Sequence, residues 1–594
     1  MPFGAELLSD GSVRFRLWAP KANEVVLILE DGREEGYPLT RLADGWFELT
    51  TREASRNSKY RFQIDGGLKV PDPASRFQPQ DVHGASEVID ADAFLWRDES
   101  WKGRPWEEAV IYEVHVGTFS EEGTYRGLEQ KLDYLRDLGV TAIELMPLSD
   151  FSGARNWGYD GVLPFAPDSS YGQPQELKQL IQTAHSKGLM VFLDVVYNHF
   201  GPEGNYLHAY APQFFTHRHH TPWGDALNFE SRTVREFFVQ NALYWLEEYH
   251  FDGLRLDAVH AIVDGSEPDI LTELAQRVRE RFRGRRLVHL ILENANNASH
   301  YLERDSQGVV HLYNAQWNDD IHHALHVLLT GESDGYYSDY THAPLAKLCR
   351  CLTEGFAFQG DYSEFHNEAR GELSKHLPAT AFVSFLQNHD QVGNRALGER
   401  ITQLAPASAV RAAMEILLLA PSPPLLFMGE EFAASTPFLF FCDFHGDLAA
   451  AVTNGRRSEF ARFSKFSSPG IREQIPDPNA EQTFLRSKLD WLSPKQPPHS
   501  RWLQLYQGLL SLRHRAIVPR LKGTGRAVIN SCDENTRALA IDWNLADGSL
   551  LQLRANLGTQ ASALTSSSTG SQIYPRTPLT AALEPWSVGW WIRE

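Results

Sequence analysis

The sequence predicts a multidomain α/β protein in which an eight-stranded, TIM-type β/α barrel sits between a β-sandwich and a terminal all-β domain. Three observations predict it. Across residues 101–516, short apolar segments alternate with amphipathic helical ones, the pattern of a parallel sheet covered by helices. Residues 1–100 instead alternate apolar and polar with period two between turn residues, and residues 517–594 return to that period. A chain of 594 residues is also too long for one core, so several domains are expected.

The first domain is read from Val13, Phe15 and Leu17 pointing one way, from the run Val25 to Leu29 after a Pro-Lys turn, and from segments around Trp46 and Tyr60. The stretch from Asp90 to Pro105, rich in Trp and charge and without a period, reads as a linker. Eight strand segments follow: VIYEVHVG from Val110, TAIELMPL from Thr141, MVFLDVVYNH from Met190, GLRLDAV from Gly253, HLILEN from His289, HLYNAQW from His311, FVSFLQNH from Phe382 and PLLFMGEE from Pro424. Leu128, Leu132, Leu135 and Leu138 form a helical stripe closed by Gly139, and Leu271, Leu274, Val278 and Phe282 form another. A helix carrying Leu503, Tyr506 and Leu510 completes the barrel, after which ALAIDWNL, LLQLRANL and SVGWWIRE supply the last domain.

A composition of 42% hydrophobic and 22% charged residues excludes a disordered or fibrous chain. The net charge of −20 argues against nucleic acid, whose phosphates demand clustered Lys and Arg. Four cysteines, Cys349, Cys351, Cys442 and Cys532, are too few and too scattered for a disulfide framework or a zinc site. The opening residues lack a signal-peptide pattern, and no run reaches the roughly 20 apolar residues of a membrane span, so a cytoplasmic protein is expected, with no membrane and no obligate protein partner.

In β/α barrels the chemistry sits at the C-terminal ends of the strands. That filter selects Asp194, Asn198 and His199 after the third strand, Arg255 and Asp257 on the fourth, Glu293 on the fifth, and His389 with Asp390 after the seventh. A single Asp there suits a helix cap as well as a catalyst. Three carboxyls converging on one mouth suit glycosidic cleavage, which needs a protonated acid at the leaving oxygen and a carboxylate at the anomeric carbon. Arg255 lies two residues before Asp257, hence on the same strand face, where it can hold that carboxylate ionised.

These residues carry a family resemblance. DVVYNH from Asp194, GLRLDAVH from Gly253, LILEN from Leu290 and QNHD from Gln387 resemble, in order and spacing, the four conserved regions of the α-amylase superfamily of glycoside hydrolases. The resemblance implies a retaining mechanism with Asp257 as nucleophile, Glu293 as general acid/base and Asp390 as the carboxylate that fixes the distorted sugar. It further implies that His199, His389 and Arg255 bind the sugar at the cleavage point, that Tyr159 in NWGYDG is the platform beneath it, and that His260 lines the leaving-group subsite. Asp194 and Asn198 suit buried scaffold bonding equally well. Trp157 and Trp223, in loops after strands, are candidates for stacking on sugar.

The β-sandwich with PDPASRFQPQDVHGASEV from Pro71 resembles the immunoglobulin-like front domains of branching, debranching and trehalose-releasing enzymes. WGYDGVLPFAPDSSYG, NHFGPEGNYL, YNAQWNDDIHHALHVLLTGE and MGEEFAASTPFLFF are most similar to the last of these, the trehalohydrolases. The substrates so implied are maltooligosyl trehalose and related α-1,4-glucans. A 1,4-α-glucan branching enzyme, a debranching α-glucosidase and a non-catalytic glucan binder stay open as alternatives. The loop Gly429 to Phe441 is expected to select the trehalose linkage, with Glu431 as a hydroxyl acceptor unless it caps the following helix. Only a short segment separates His199 from the helix near Ser231, where amylases often insert a calcium-binding domain, and no phosphate loop or Cys/His metal spacing occurs. No metal and no cofactor are expected.

Overall fold

Eight parallel strands pair in chain order and close on themselves: Ile111–Val114, Ala142–Leu145, Met190–Val195, Gly253–Leu256, His289–Leu292, Ala315–Trp317, Phe382–Phe385 and Pro424–Phe427. This computed structural model describes residues 1–30, 35–221, 224–462, 468–523, 525–563, 568–575 and 582–594. Every residue of all eight strands is buried, because one face lines the barrel and the other meets helices. That double burial is why the segments read as continuous apolar runs. The ring closes where Ile111 pairs with Leu425.

The helical stripes behave as their spacing demands. The leucines of the first fall on two short helices, Tyr125–Glu129 and Leu132–Leu138, and Gly139 ends the second with φ 104°, a left-handed conformation that favours glycine. Helix Ile270–Phe282 starts where the Asp269 side chain accepts Thr272 N at 3.0 Å. The closing helix is His499–Leu512, with Tyr506 and Leu510 buried and Leu503 half-buried. The sixth strand is shorter than the segment from His311 suggested. Just before it, Asn314 turns its side chain onto the fifth strand, its Oδ1 accepting Leu290 N at 3.0 Å, and the ladder begins at Ala315.

In front of the barrel lie two antiparallel sheets. One contains Glu6–Leu7, Val13–Trp18, Trp46–Thr51 and Thr40–Arg41, and the other Glu35–Pro38, Val25–Leu29, Lys59–Ile64, Lys69–Val70 and Ser86–Glu87. Val13, Phe15 and Leu17 face inward onto Val25, Leu27, Tyr60 and Phe62. The sandwich is clamped to the barrel, with Arg76 lying over the rings of Phe165 and Tyr244 at 4.8 and 4.9 Å. The last domain is a sheet of five strands in the order Ala527–Asp533, Ala538–Asn544, Leu550–Asn556, Ser587–Arg593 and Ser571–Tyr574. Trp543 and Trp590 dock it, their indole N–H groups donating to Leu352 O (3.1 Å) and Glu415 O (3.0 Å) of barrel helices.

The expected linker is a packed strap. Trp96 stacks on His250 at 3.8 Å, and Trp101 stacks on His185 at 4.8 Å while donating to Asp252 Oδ1 at 2.7 Å. Asp98 and Asp252 hold His185 between them at 2.8 and 3.0 Å. This ties residues 90–105 to the N-terminal ends of the barrel strands, opposite the mouth. Beyond His199, helix Arg232–Glu248 begins after the two-stranded hairpin Phe215–Thr221 and Gly224–Leu227. No helix among the described residues is long and apolar enough to cross a membrane.

Candidate active site

The fourth strand places the centre of the site. In Gly253–Leu256 the leucines turn outward to the helices, so Arg255 points into the barrel with Asp257 just beyond the strand end. Register sets Arg255 beside Asp194 on the third strand. The Arg255 guanidinium is fully buried and bonds three carboxyls at once: Nη1 reaches Asp194 Oδ2 at 2.5 Å and Asp257 Oδ1 at 3.1 Å, and Nη2 reaches Glu293 Oε2 at 2.7 Å. The Trp317 ring lies under it at 4.1 Å. A buried cation of this kind is stable only when its charge is matched and its N–H groups are used.

Two further donors fix the pair. Asn198 Nδ2 donates to Asp257 Oδ2 at 2.8 Å. Ala258, in a left-handed conformation with φ 40°, donates its N–H to Glu293 Oε2 at 2.8 Å. A non-glycine residue held at positive φ costs on the order of 1–3 kcal/mol, and here that strain buttresses a carboxyl at the mouth. Glu293 Oε1 has no bonding partner among the described residues. Burial pushes the Asp257 carboxyl up from its ordinary range, and the Arg255 charge draws it back down.

The seventh strand brings His389 and Asp390 to the same mouth. Glu113, buried inside the first strand, accepts the His389 backbone N–H at 2.9 Å and Nδ1 at 2.5 Å, while Nε2 lies 3.4 Å from Asp390 Oδ2. Burial would depress this imidazole, but Asp390 and Glu113 overcome it and hold it up at about 9, so His389 is a cation at neutral pH. Its ring stacks on Tyr159 at 5.0 Å, and Tyr159 donates to Asp194 Oδ2 at 2.7 Å. His199 sits between the Asn198 side chain and Tyr159 O, and burial lowers it to about 4. His260 faces a cavity of about 290 Å³ between the loops after the fourth and fifth strands, which also exposes Asn294, Asn296, Asp269 and His300. Its Nδ1 accepts Ala295 N at 3.2 Å.

Two expectations are corrected. Glu431 does not reach the mouth. It is fully buried between the barrel and its outer helices, where it accepts from Tyr112 (3.1 Å) and Tyr134 (2.6 Å), and burial pushes it up to about 7. Nor does it cap the helix, since the turn Glu430–Phe432 has no side-chain cap. Trp157 is 4% exposed, stacked on Phe438 at 5.2 Å and bonded to Leu439 O, so its faces are taken by protein. Trp223 lies outside the described residues.

Three carboxyls at the site went unnoticed in the sequence. Glu113 and Glu144 sit mid-strand in apolar segments, and an acidic residue inside a doubly buried strand was the signal. Asp319, two residues past the sixth strand and so at the mouth end of the barrel, is pushed up to about 8, first by burial and then by the charges of Glu293 and Asp390. Its place just past the end of the sixth strand is the sequence signal that marks it.

The chain is similar to several known proteins. Residues 75–211 match the family model for the alpha amylase catalytic domain, and residues 2–74 that of carbohydrate-binding module 48, the isoamylase N-terminal domain. A crystal structure of an alpha-amylase candidate from Salmonella typhimurium superposes with a TM-score of 0.95 at 44% identity, covering 100% of this chain and 99% of that one. The malto-oligosyltrehalose trehalohydrolase of Deinococcus radiodurans is 46% identical over 513 residues, 86% of this chain and 82% of its own. That of Saccharolobus solfataricus is 40% identical over 518 residues, 86% of this chain and 87% of its own. With such identities over most of its length, the chain belongs to the malto-oligosyltrehalose trehalohydrolase family.

Proposed function

We propose that this chain is a retaining glycoside hydrolase that cleaves the α-1,4-glucosidic bond next to the terminal trehalose unit of maltooligosyl trehalose and releases trehalose. Beside the family, one observation carries the reading: a single buried guanidinium, Arg255, bonds both Asp257 and Glu293. One cation joined to both keeps the carboxyls a few ångströms apart. Both retaining and inverting glycosidases need two carboxyls at one mouth, and retention follows from the family rather than from this bridge.

In this reading Asp257 attacks the anomeric carbon, the bond to the leaving oxygen breaks, and Glu293 passes that oxygen its proton. Trehalose departs, water attacks the glycosyl ester from the vacated side, and Glu293 takes the proton back. Arg255 and Asn198 favour the ionised form of Asp257, and Glu293 Oε1 is the oxygen available to carry the acid proton. Asp390 and the His389 cation hold the distorted sugar over Tyr159, with Asp194 and His199 fixing Tyr159 and Arg255 from behind. The cavity beside His260 receives the trehalose. A barrel domain of residues 101–516 carries the reaction between the sandwich of 1–100 and the sheet domain of 517–594. A cytoplasmic setting belongs to the same proposal, since four free thiols suit a reducing compartment.

Glu293→Gln tests the roles directly. Its kcat on maltooligosyl trehalose is expected to fall by several orders of magnitude with an unchanged circular dichroism spectrum. An α-maltosyl fluoride, whose leaving group needs no proton, should still glycosylate the variant and leave a covalent sugar on the peptide holding Asp257. Near-normal turnover, or a label on another residue, would sink the assignment.

A further inference from the structure

The four cysteines are free thiols, but two of them face each other across a domain junction. Cys349 lies on barrel helix Pro344–Glu354 and is fully buried, whereas Cys532 lies on strand Ala527–Asp533 of the terminal sheet and is half-buried. Although 183 residues separate them in the chain, Cys349 Sγ donates to Cys532 Sγ at 3.1 Å. The surrounding junction is held by other bonds: the Glu534 carboxylate accepts Ala346 N at 2.7 Å, and Trp543 Nε1 donates to Leu352 O at 3.1 Å. A disulfide needs an S–S distance of about 2.05 Å, so the sulfurs must close by roughly 1 Å. Strand Ala527–Asp533 is at the edge of its sheet, paired on one side only, and already breaks register between Ile529 and Ser531. It can make that movement without disturbing the rest of the ladder.

We propose that Cys349 and Cys532 form a modification site, closed by a peroxide into a disulfide that staples the terminal sheet to the barrel. The half-buried Cys532 reacts first: its thiolate attacks hydrogen peroxide, the O–O bond breaks, and hydroxide leaves a sulfenic acid. Cys349 then attacks that sulfur, the S–O bond breaks, and water departs, so two thiols and one peroxide yield one disulfide and two waters. The hydrogen bond from Cys349 holds the Cys532 thiol below its ordinary range, and the same bond together with burial holds Cys349 up, which matches this order of attack. Cys351 is buried on the same helix, and the Cys442 thiol is engaged with Asn479 Oδ1 at 3.2 Å.

The test is to treat the full-length protein with hydrogen peroxide, alkylate the remaining thiols, and map peptides without reduction. The expected result is loss of two of the four thiols, one intramolecular peptide pair joining Cys349 to Cys532, and recovery of both thiols with dithiothreitol. The oxidised chain should also unfold a few degrees higher than the reduced one, because the cross-link closes a long loop. That gain should vanish in Cys532→Ser, whose partly exposed position tolerates the change, and in Cys349→Ala. Four surviving thiols, a bond to Cys351, Cys442 or a second chain, or overoxidation of Cys532 with Cys349 still alkylatable would overturn the proposal. An unchanged unfolding midpoint in the cross-linked chain would overturn its role as a staple.

Discussion

Arg255 is the residue on which the site turns, and its effect is measurable through pH. Its charge opposes the rise that burial imposes on Asp257. Arg255→Lys keeps a charge but loses the planar fork that reaches Asp194, Asp257 and Glu293 together. The Asp257 carboxyl should therefore hold its proton to higher pH, and the acidic limb of the kcat/KM profile should move upward, alongside a fall of at least about tenfold at the optimum. A profile that drops without shifting would mean that Arg255 only orients. Glu144 makes a separate prediction. It is fully buried, neither oxygen has a partner among the described residues, and burial with Glu113 and Asp194 pushes it well above the usual range. The folded chain therefore keeps a proton that the unfolded chain releases above its ordinary value of 4.5, so this residue costs stability increasingly as pH rises from there. Glu144→Gln removes that cost, and its thermal midpoint should gain on the parent between pH 5 and pH 8; a difference independent of pH would contradict the neutral carboxyl. Asp257, Glu293 and Asp390 were legible because strand ends select them. Glu113 and Glu144 were not, since strand periodicity reports only that a position is buried and not what a carboxyl does there.

At the scale of elements, apolar runs bounded by turns located all eight barrel strands, because residues covered on both faces must be apolar. Side-chain direction was harder to read. Trp157 and Glu431 both follow strands, yet both turn into protein, Trp157 against Phe438 and Glu431 onto two tyrosine hydroxyls, and loop position alone does not distinguish these outcomes. The strap of residues 90–105 reads as a linker in the sequence because its bonds are tertiary and leave no period. Its contribution can be isolated with Trp101→Phe, which keeps the stacking on His185 and removes the donor to fully buried Asp252. A loss of about 1–3 kcal/mol is expected, with faster hydrogen exchange in the strap and unchanged kcat, since the strap lies opposite the mouth. Lowered kcat with normal stability would reverse that assignment.

At the scale of the molecule, one continuous apolar core runs through all three domains, and tryptophan and arginine contacts fasten them further: Arg76 over Phe165 and Tyr244 at the front, and Trp543 and Trp590 at the back. The front sandwich matches the model of carbohydrate-binding module 48, and the barrel mouth holds the carboxyls. At this mouth the cleaved glucan passes to water and trehalose leaves. Chromatography of products from maltopentaosyl trehalose, with maltoheptaose and amylose run in parallel, decides between water and a sugar hydroxyl as acceptor. Trehalose and maltopentaose in equal amounts, with little action on the plain glucans, are expected; lengthened or branched chains without free trehalose would contradict the assignment.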